Sequence, residues 1–288
     1  MHTLRDEDIQ RLRRRLDDLS EKIDAATHRK NDPVSLAWSY THEADQELAA
    51  LVAASVAYGR VALVRDAGKR IMAPLGPSPM ETLLALEPGE LSTIYEGYVY
   101  RMTRAEDVVD MLCGVRQMVA NHGSLHDGYL SQDGETHLER ASGFIRELRE
   151  GRLRPDCERG LKYLLTDPGD GSTAKRMHLF FRWVARPKDA IDLGLWEDVS
   201  AADLIMPLDT HTSRLGRYLG LCSRKATDLK TAIEVTESLK RLDPDDPLRF
   251  DFPLCHLGIS GGCIHKRSEE HCPSCPLEAL CLLSRGEL

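Results

Sequence analysis

Four cysteines fall within the last tenth of the chain as Cys263-x8-Cys272-x2-Cys275-x5-Cys281, and this spacing constrains the fold more than any other feature. Four thiolates on so short a stretch can close around a [4Fe-4S] cluster or a structural zinc ion. Either would order a loop that has little apolar core of its own. The paired Cys-x2-Cys argues against chance clustering. Cys113, Cys157, Cys222 and Cys255 stand apart and read as ordinary buried or incidental residues.

With 288 residues and 42% hydrophobic content, the chain can bury a real core and suits one large domain or two modest ones. No stretch is apolar enough to cross a bilayer, and Met1 to Arg15 is densely charged, so the expected location is the cytoplasm. In that reducing compartment, eight cysteines are better explained by metal ligation than by disulfides. A net charge of -8 and a pI near 5.8 exclude a protein that coats nucleic acid indiscriminately, but not one with a local site. Cations concentrate at Arg60, Arg65, Lys69 and Arg70; at Lys175, Arg176, Arg182, Arg186 and Lys188; at Arg214, Arg217, Arg224 and Lys225; and at His265, Lys266 and Arg267. If these converge, they form a phosphate-holding face on an acidic body.

The dominant period is helical. Helices are predicted over Leu4–Arg29, Asp45–Ala57, Val61–Met72, Ala105–Ala120, Leu138–Gly151, Thr173–Ala185, Thr210–Leu219, Thr227–Leu242 and Pro247–Leu257. Ser200 with Asp203 resembles a capping box, and Thr227 is an N-cap candidate. No alternating strand pattern stands out, and the loosest stretches are 122–135 and 186–200. The expected fold is therefore all-α with a cysteine-bound loop at its C-terminal end.

Two motifs carry chemistry. Pro168-Gly169-Asp170-Gly171-Ser172-Thr173-Ala174 places two glycines ahead of a helix, where bare backbone N–H groups can meet a phosphate oxygen; a tight helix–helix turn needs glycine as well. Pro207-Leu208-Asp209-Thr210-His211 sets a carboxylate at the start of a helix, the usual place for an N-cap. The Leu-Asp-Thr-His string resembles the Val-Asp-Thr-His segment of the helix-hairpin-helix DNA glycosylases of the endonuclease III type. The cysteine loop resembles theirs too, with two extra residues in its first interval, and the order of glycine hairpin, aspartate helix and cysteine loop agrees. The similarity covers roughly Asp45 to Cys281 and is rich in motifs only over the last hundred or so residues.

That resemblance implies two helical subdomains flanking a DNA-binding cleft. One would span 40–190 and carry the glycine hairpin; the other would join 1–39 to 191–288 and carry the catalytic Asp209 and a [4Fe-4S] loop on Cys263, Cys272, Cys275 and Cys281, with zinc as the alternative. It implies a monomer acting on duplex DNA that bears a modified base. Enzymes of that family with lyase activity carry an amine two residues after the second hairpin glycine, where this chain has Thr173; Lys175 lies two residues further on. Either the chain is monofunctional, or Lys175 is the nucleophile, in a spacing similar to the archaeal 8-oxoguanine glycosylase group, with Arg182 two turns later. The second alternative implies an oxidised purine as the lesion. Asp209 would then stabilise the oxocarbenium-like transition state, and burial beside Arg176 and Arg182 would lower the pKa of Lys175.

A flipped nucleotide needs a wedge and a pocket. Tyr58 and Arg60 are the wedge candidates, Trp183, Trp196 and His211 the pocket candidates, and Gly169, Gly171, Lys266 and Arg267 the candidate backbone contacts. A noncatalytic DNA- or structured-RNA-binding protein on the same scaffold is the alternative function.

Overall fold

The computed structural model describes residues 4–155, 159–259 and 262–288. Cys157 lies outside the described residues. Among the described residues the fold is all-α apart from one pair of two-residue strands. In order, the elements are α1 (Asp6–Lys22), α2 (Ala25–Arg29), α3 (Glu43–Ser55), α4 (Val61–Met72), α5 (Pro79–Ala85), α6 (Pro88–Ile94), β1 (Val99–Tyr100), β2 (Thr103–Arg104), α7 (Ala105–His122), α8 (Leu125–Leu130), α9 (His137–Glu150), α10 (Arg159–Leu164), α11 (Lys175–Ala185), α12 (Thr210–Tyr218), α13 (Leu229–Lys240), α14 (Asp251–Ile259) and α15 (Leu282–Arg285). No helix among the described residues is long and apolar enough to cross a membrane.

Local sequence explains most of these boundaries. The predicted Leu4–Arg29 helix is split into α1 and α2, and α13 starts two residues late because Asp228 supplies the cap by accepting from Thr231 N. Ser200 caps a single 3-10 turn, Ala201–Asp203, instead of an α-helix. The stretch 122–135, predicted to be loose, contains α8, capped by Ser124. The short helices α5, α6 and α10 lack a full amphipathic period, which hid them. Val99–Arg104 forms an antiparallel hairpin where no strand was predicted: two residues per strand are too few for alternation to show.

The structure divides into two compact units, and the division differs from the sequence expectation. The first comprises Met1–Asp24, Gly171–His178 and Val199–Leu288; the second comprises Ala25–Asp170 and Leu179–Asp198. Residues 25–39 stay with the second because the Arg29 guanidinium lies 4.0 Å from the Trp38 ring centroid and bonds Ala190 O, while Trp38 Nε1 donates to Ile191 O. The division passes through α11 itself, leaving Lys175 in the first unit.

In the second unit α7 packs on α8 and α9. At Gly114 a β-carbon would come 2.0 Å from Leu148 O, so no larger residue allows α7 to approach α9 this closely. Tyr129, Phe144, Phe180, Phe181 and Trp196 form a contiguous aromatic core. Buried Glu47 of α3 accepts from Trp196 Nε1 within it. In the first unit α12 packs against α13, α14 and α15.

Burial pushes the Glu47 carboxyl up to about 7, with Glu43 and Asp127 adding repulsion and the Trp196 hydrogen bond opposing. A carboxyl raised in the fold stabilises most below its unfolded value of 4.5, and that stabilisation disappears as pH rises through about 7. At about 1.4 kcal/mol per pH unit the loss is on the order of 3 kcal/mol. Thermal unfolding should show wild type losing stability between about pH 5 and pH 8 and Glu47→Gln losing much less; parallel pH profiles would refute the assignment.

Candidate functional site

The first unit gathers three chemical elements of the sequence around the start of α12. Asp209 is its N-cap: Oδ1 accepts from His211 N at 2.8 Å and Thr212 N at 2.9 Å, while Asp209 N donates to Thr212 Oγ1. The second oxygen, Oδ2, takes Lys175 Nζ at 2.8 Å. The apolar lead-in is fixed by Met206 N donating to Thr236 Oγ1 of α13, and Leu208 is buried. Gly171 O accepts from Leu229 N at the start of α13, which ties the glycine turn to the same cluster. Ala174, at φ +38, then turns the chain into α11, where Lys175 is the first residue.

The pair sets its own protonation. Burial pulls the Lys175 ammonium down, but the charge and hydrogen bond of Asp209 outweigh this and hold it above the ordinary lysine value, with Cys255 and Asp251 of α14 contributing less. Burial pushes Asp209 up, and Lys175 together with the Thr212 hydrogen bonds brings it below the ordinary carboxylate value. The resting state is therefore ammonium–carboxylate, which corrects the expectation that neighbouring cations depress Lys175. The side chains remain 35% and 21% exposed, so neither is sealed away.

Other candidates fall elsewhere. Arg182 is buried in the second unit, bonded to Asp192 beside Arg186 and Asp189, and has no access to a phosphate. Trp183 and Trp196 are 1% and 0% exposed, so both are core residues and neither presents a face to an extruded base. Tyr58 is half-buried, its hydroxyl donating to Tyr100 O and sharing a hydrogen bond with Thr103 Oγ1, which removes it as a wedge. Arg60 is exposed at the N-cap of α4. Gly169 N donates to Asp167 Oδ1 at 2.7 Å and is already occupied. Gly171 is exposed at φ +81, and among the described residues the N–H groups of Gly171, Ser172 and Thr173 have no acceptor.

Sequence reasoning placed His265 only within a basic cluster. Its Nε2 meets His211 Nδ1 at 3.1 Å, and its Nδ1 lies 3.9 Å from Cys263 Sγ, so a polar chain runs from the Asp209 helix to the cysteine loop. No local signal could have joined residues 54 apart. Thr212 was legible, three residues after the cap. Lys266 and Arg267 are exposed on the same loop.

Cys263, Cys272, Cys275 and Cys281 are free thiols, each partly exposed. Burial raises Cys275 and Cys281, and each also feels the charge of Cys263 and Cys272, so the four are electrostatic neighbours. Among the described residues no three His, Cys, Asp or Glu side chains are drawn to metal-holding distance. The loop that carries them is anchored by buried Leu277, Leu280 and Leu282, and α15 packs on α12; four thiols are the donor type that a thiolate-bound metal group takes.

Residues 32–260 match the model of the family described as "Protein of unknown function (DUF2400)". The chain belongs to that family. Lys175 and Asp209 lie inside the part that defines DUF2400, and the four-cysteine loop lies beyond it. No curated protein and no solved structure matches the chain.

Asp209→Asn keeps the capping oxygen and removes the charge, so Lys175 should lose its proton at lower pH. Reductive methylation followed by mass spectrometry should label Lys175 several-fold faster in this variant at about pH 8; an equal rate would show that the pair does not govern its protonation.

Proposed function

We propose that this DUF2400 chain is a DNA glycosylase with abasic-site lyase activity, excising a damaged base, an oxidised purine foremost, from duplex DNA. The observation that carries it is the 2.8 Å Lys175–Asp209 pair at the mouths of two helices beside an exposed glycine turn. Breaking an N-glycosidic bond leaves positive charge on the sugar, and a fixed carboxylate stabilises that charge as it forms. An amine in contact with the same carboxylate can attack C1′ once its proton has moved: the N–C1′ bond forms as the C1′–base bond breaks with its electron pair leaving on the base, and the C1′–O4′ bond then opens, O4′ taking up a proton as the nitrogen loses one, to give the Schiff base.

The resting ion pair supplies the proton path. As substrate displaces water, Lys175 can give its proton to the departing base, which leaves Asp209 ionised beside the sugar. The open N–H groups of Gly171, Ser172 and Thr173 suit a phosphate oxygen next to the reacting sugar. Cys263, Cys272, Cys275 and Cys281 would hold a [4Fe-4S] cluster, with zinc the other ion this donor set accepts. Such a group would supply loop order, and the exposed Lys266 and Arg267 would bring the positive charge that meets the backbone from that loop.

Incubation with a duplex bearing 8-oxoguanine, with borohydride present, should covalently capture wild type and fail to capture Lys175→Gln. Asp209→Asn should bind the duplex but release base at least roughly a hundredfold more slowly. Release without capture would make the enzyme monofunctional, and no release from any of a panel of modified duplexes would leave the noncatalytic nucleic-acid binder. Purified protein should absorb broadly near about 400 nm and bleach on reduction, an absorbance lost in Cys275→Ser; a colourless protein containing zinc would replace the cluster assignment.

A further inference from the structure

Met102 sits at the tip of the β1–β2 hairpin and is 59% exposed, more than any other large apolar side chain among the described residues except Leu288 at the C-terminal end. A lone exposed methionine is ordinary. What sets this one apart is the rigidity and charge of its mount. Tyr58 and Tyr100 clamp the hairpin to the 58–60 turn reciprocally: each hydroxyl donates to the other's backbone carbonyl, and Tyr58 also bonds Thr103. Gly59, at φ +103, allows the close approach, since a β-carbon there would lie 3.2 Å from both Arg101 Nη1 and the Tyr100 hydroxyl. The Tyr163 ring of α10 backs Tyr58 at 5.1 Å, and the Arg70 guanidinium stacks on Tyr98 at the far end of the hairpin. Val61 and Val99 are exposed nearby along the chain.

Two arginines lie on this hairpin and a third on the turn clamped to it. Arg60, Arg101 and Arg104 are exposed, and among the described residues none has a carboxylate within ion-pair distance, in a protein whose net charge is -8. An apolar point between unpaired guanidiniums matches a base stack between two phosphate rails: proteins that kink duplexes insert Met, Leu, Ile or Phe between steps and hold the flanking phosphates with arginine. A protein partner would offer carboxylates to these arginines but no reason for an apolar point at their centre.

We propose that Met102 is the wedge that enters the duplex and that Arg60, Arg101 and Arg104 grip the adjoining phosphates. This rests on the duplex-DNA function above, and it moves the inserting role from Tyr58 to the hairpin that Tyr58 braces. Filling the stack beside a displaced nucleotide is the task, so Met102 is a positioning residue and takes no part in bond breaking.

The test uses the full chain and a duplex containing a tetrahydrofuran abasic-site analogue beside 2-aminopurine, whose emission rises when it is unstacked. Wild type should brighten it several-fold. Met102→Ala should bind within about threefold by fluorescence anisotropy yet lose most of the brightening, and Met102→Leu should restore it. Each of Arg60→Ala, Arg101→Ala and Arg104→Ala should weaken binding and lower the salt slope by about one. Unchanged brightening in Met102→Ala overturns the wedge while leaving DNA binding intact, as does loss of a wild-type dimer in that variant by size-exclusion chromatography, which would make the tip a self-association surface. Binding and brightening by wild type without base release from any duplex would sink the glycosylase reading and leave the wedge standing; no binding to any duplex would sink both.

Discussion

One carboxylate, that of Asp209, holds the candidate site together by serving two demands with its two oxygens. Oδ1 caps α12 through His211 N and Thr212 N, and Oδ2 neutralises Lys175. A lysine at the first residue of α11 sits at the positive end of the helix dipole, an unfavourable place for a cation unless an anion faces it. Asp209 is that anion. The same contact ties the start of α11 to the start of α12, so removing this carboxylate would uncap α12 and release the first residue of α11 together, while Gly171 O separately holds the turn before α11 to Leu229 N of α13. The site is thus an electrostatic knot within one unit, built from segments 34 residues apart in sequence.

The cations show why charge clusters in sequence do not map onto a surface. Lys175, Arg182 and Arg186 are spaced along one helix and its end, yet Lys175 pairs with Asp209 while Arg182 and Arg186 turn into the second unit to satisfy buried Asp192. Burial pushes the Asp192 carboxyl up, and the two guanidiniums oppose that. A buried acid cannot stay ionised without such partners, so two arginines that looked available for DNA are structural instead. Arg60, Arg101 and Arg104 remain exposed, and two of these lay outside the basic clusters visible in the sequence.

The aromatic residues were misplaced for a similar reason. Trp183 and Trp196 are the largest apolar side chains in their region, and a helical unit of this size buries such residues before it offers them to a ligand. Tyr58 was located correctly on a turn after an apolar helix, but its hydroxyl found Tyr100 and Thr103. The hairpin it braces was invisible because two strands of two residues leave no period. His211 and His265 were each seen separately. Their contact joins the aspartate helix to the cysteine loop and depends on how α12, α14 and the C-terminal segment pack.

Local chemistry alone determined the all-α class, the starts of α4, α7 and α12, the capping role of Asp209 and the concentration of thiols at the C-terminal end, because each depends on residues within about one helical turn of each other. Tertiary structure decided which cation meets Asp209, that Lys175 rests protonated, which arginines stay on the surface and which aromatic residues are core. Those outcomes depend on competition among distant groups for burial and for counter-charge, and no spacing along a single chain records who wins it.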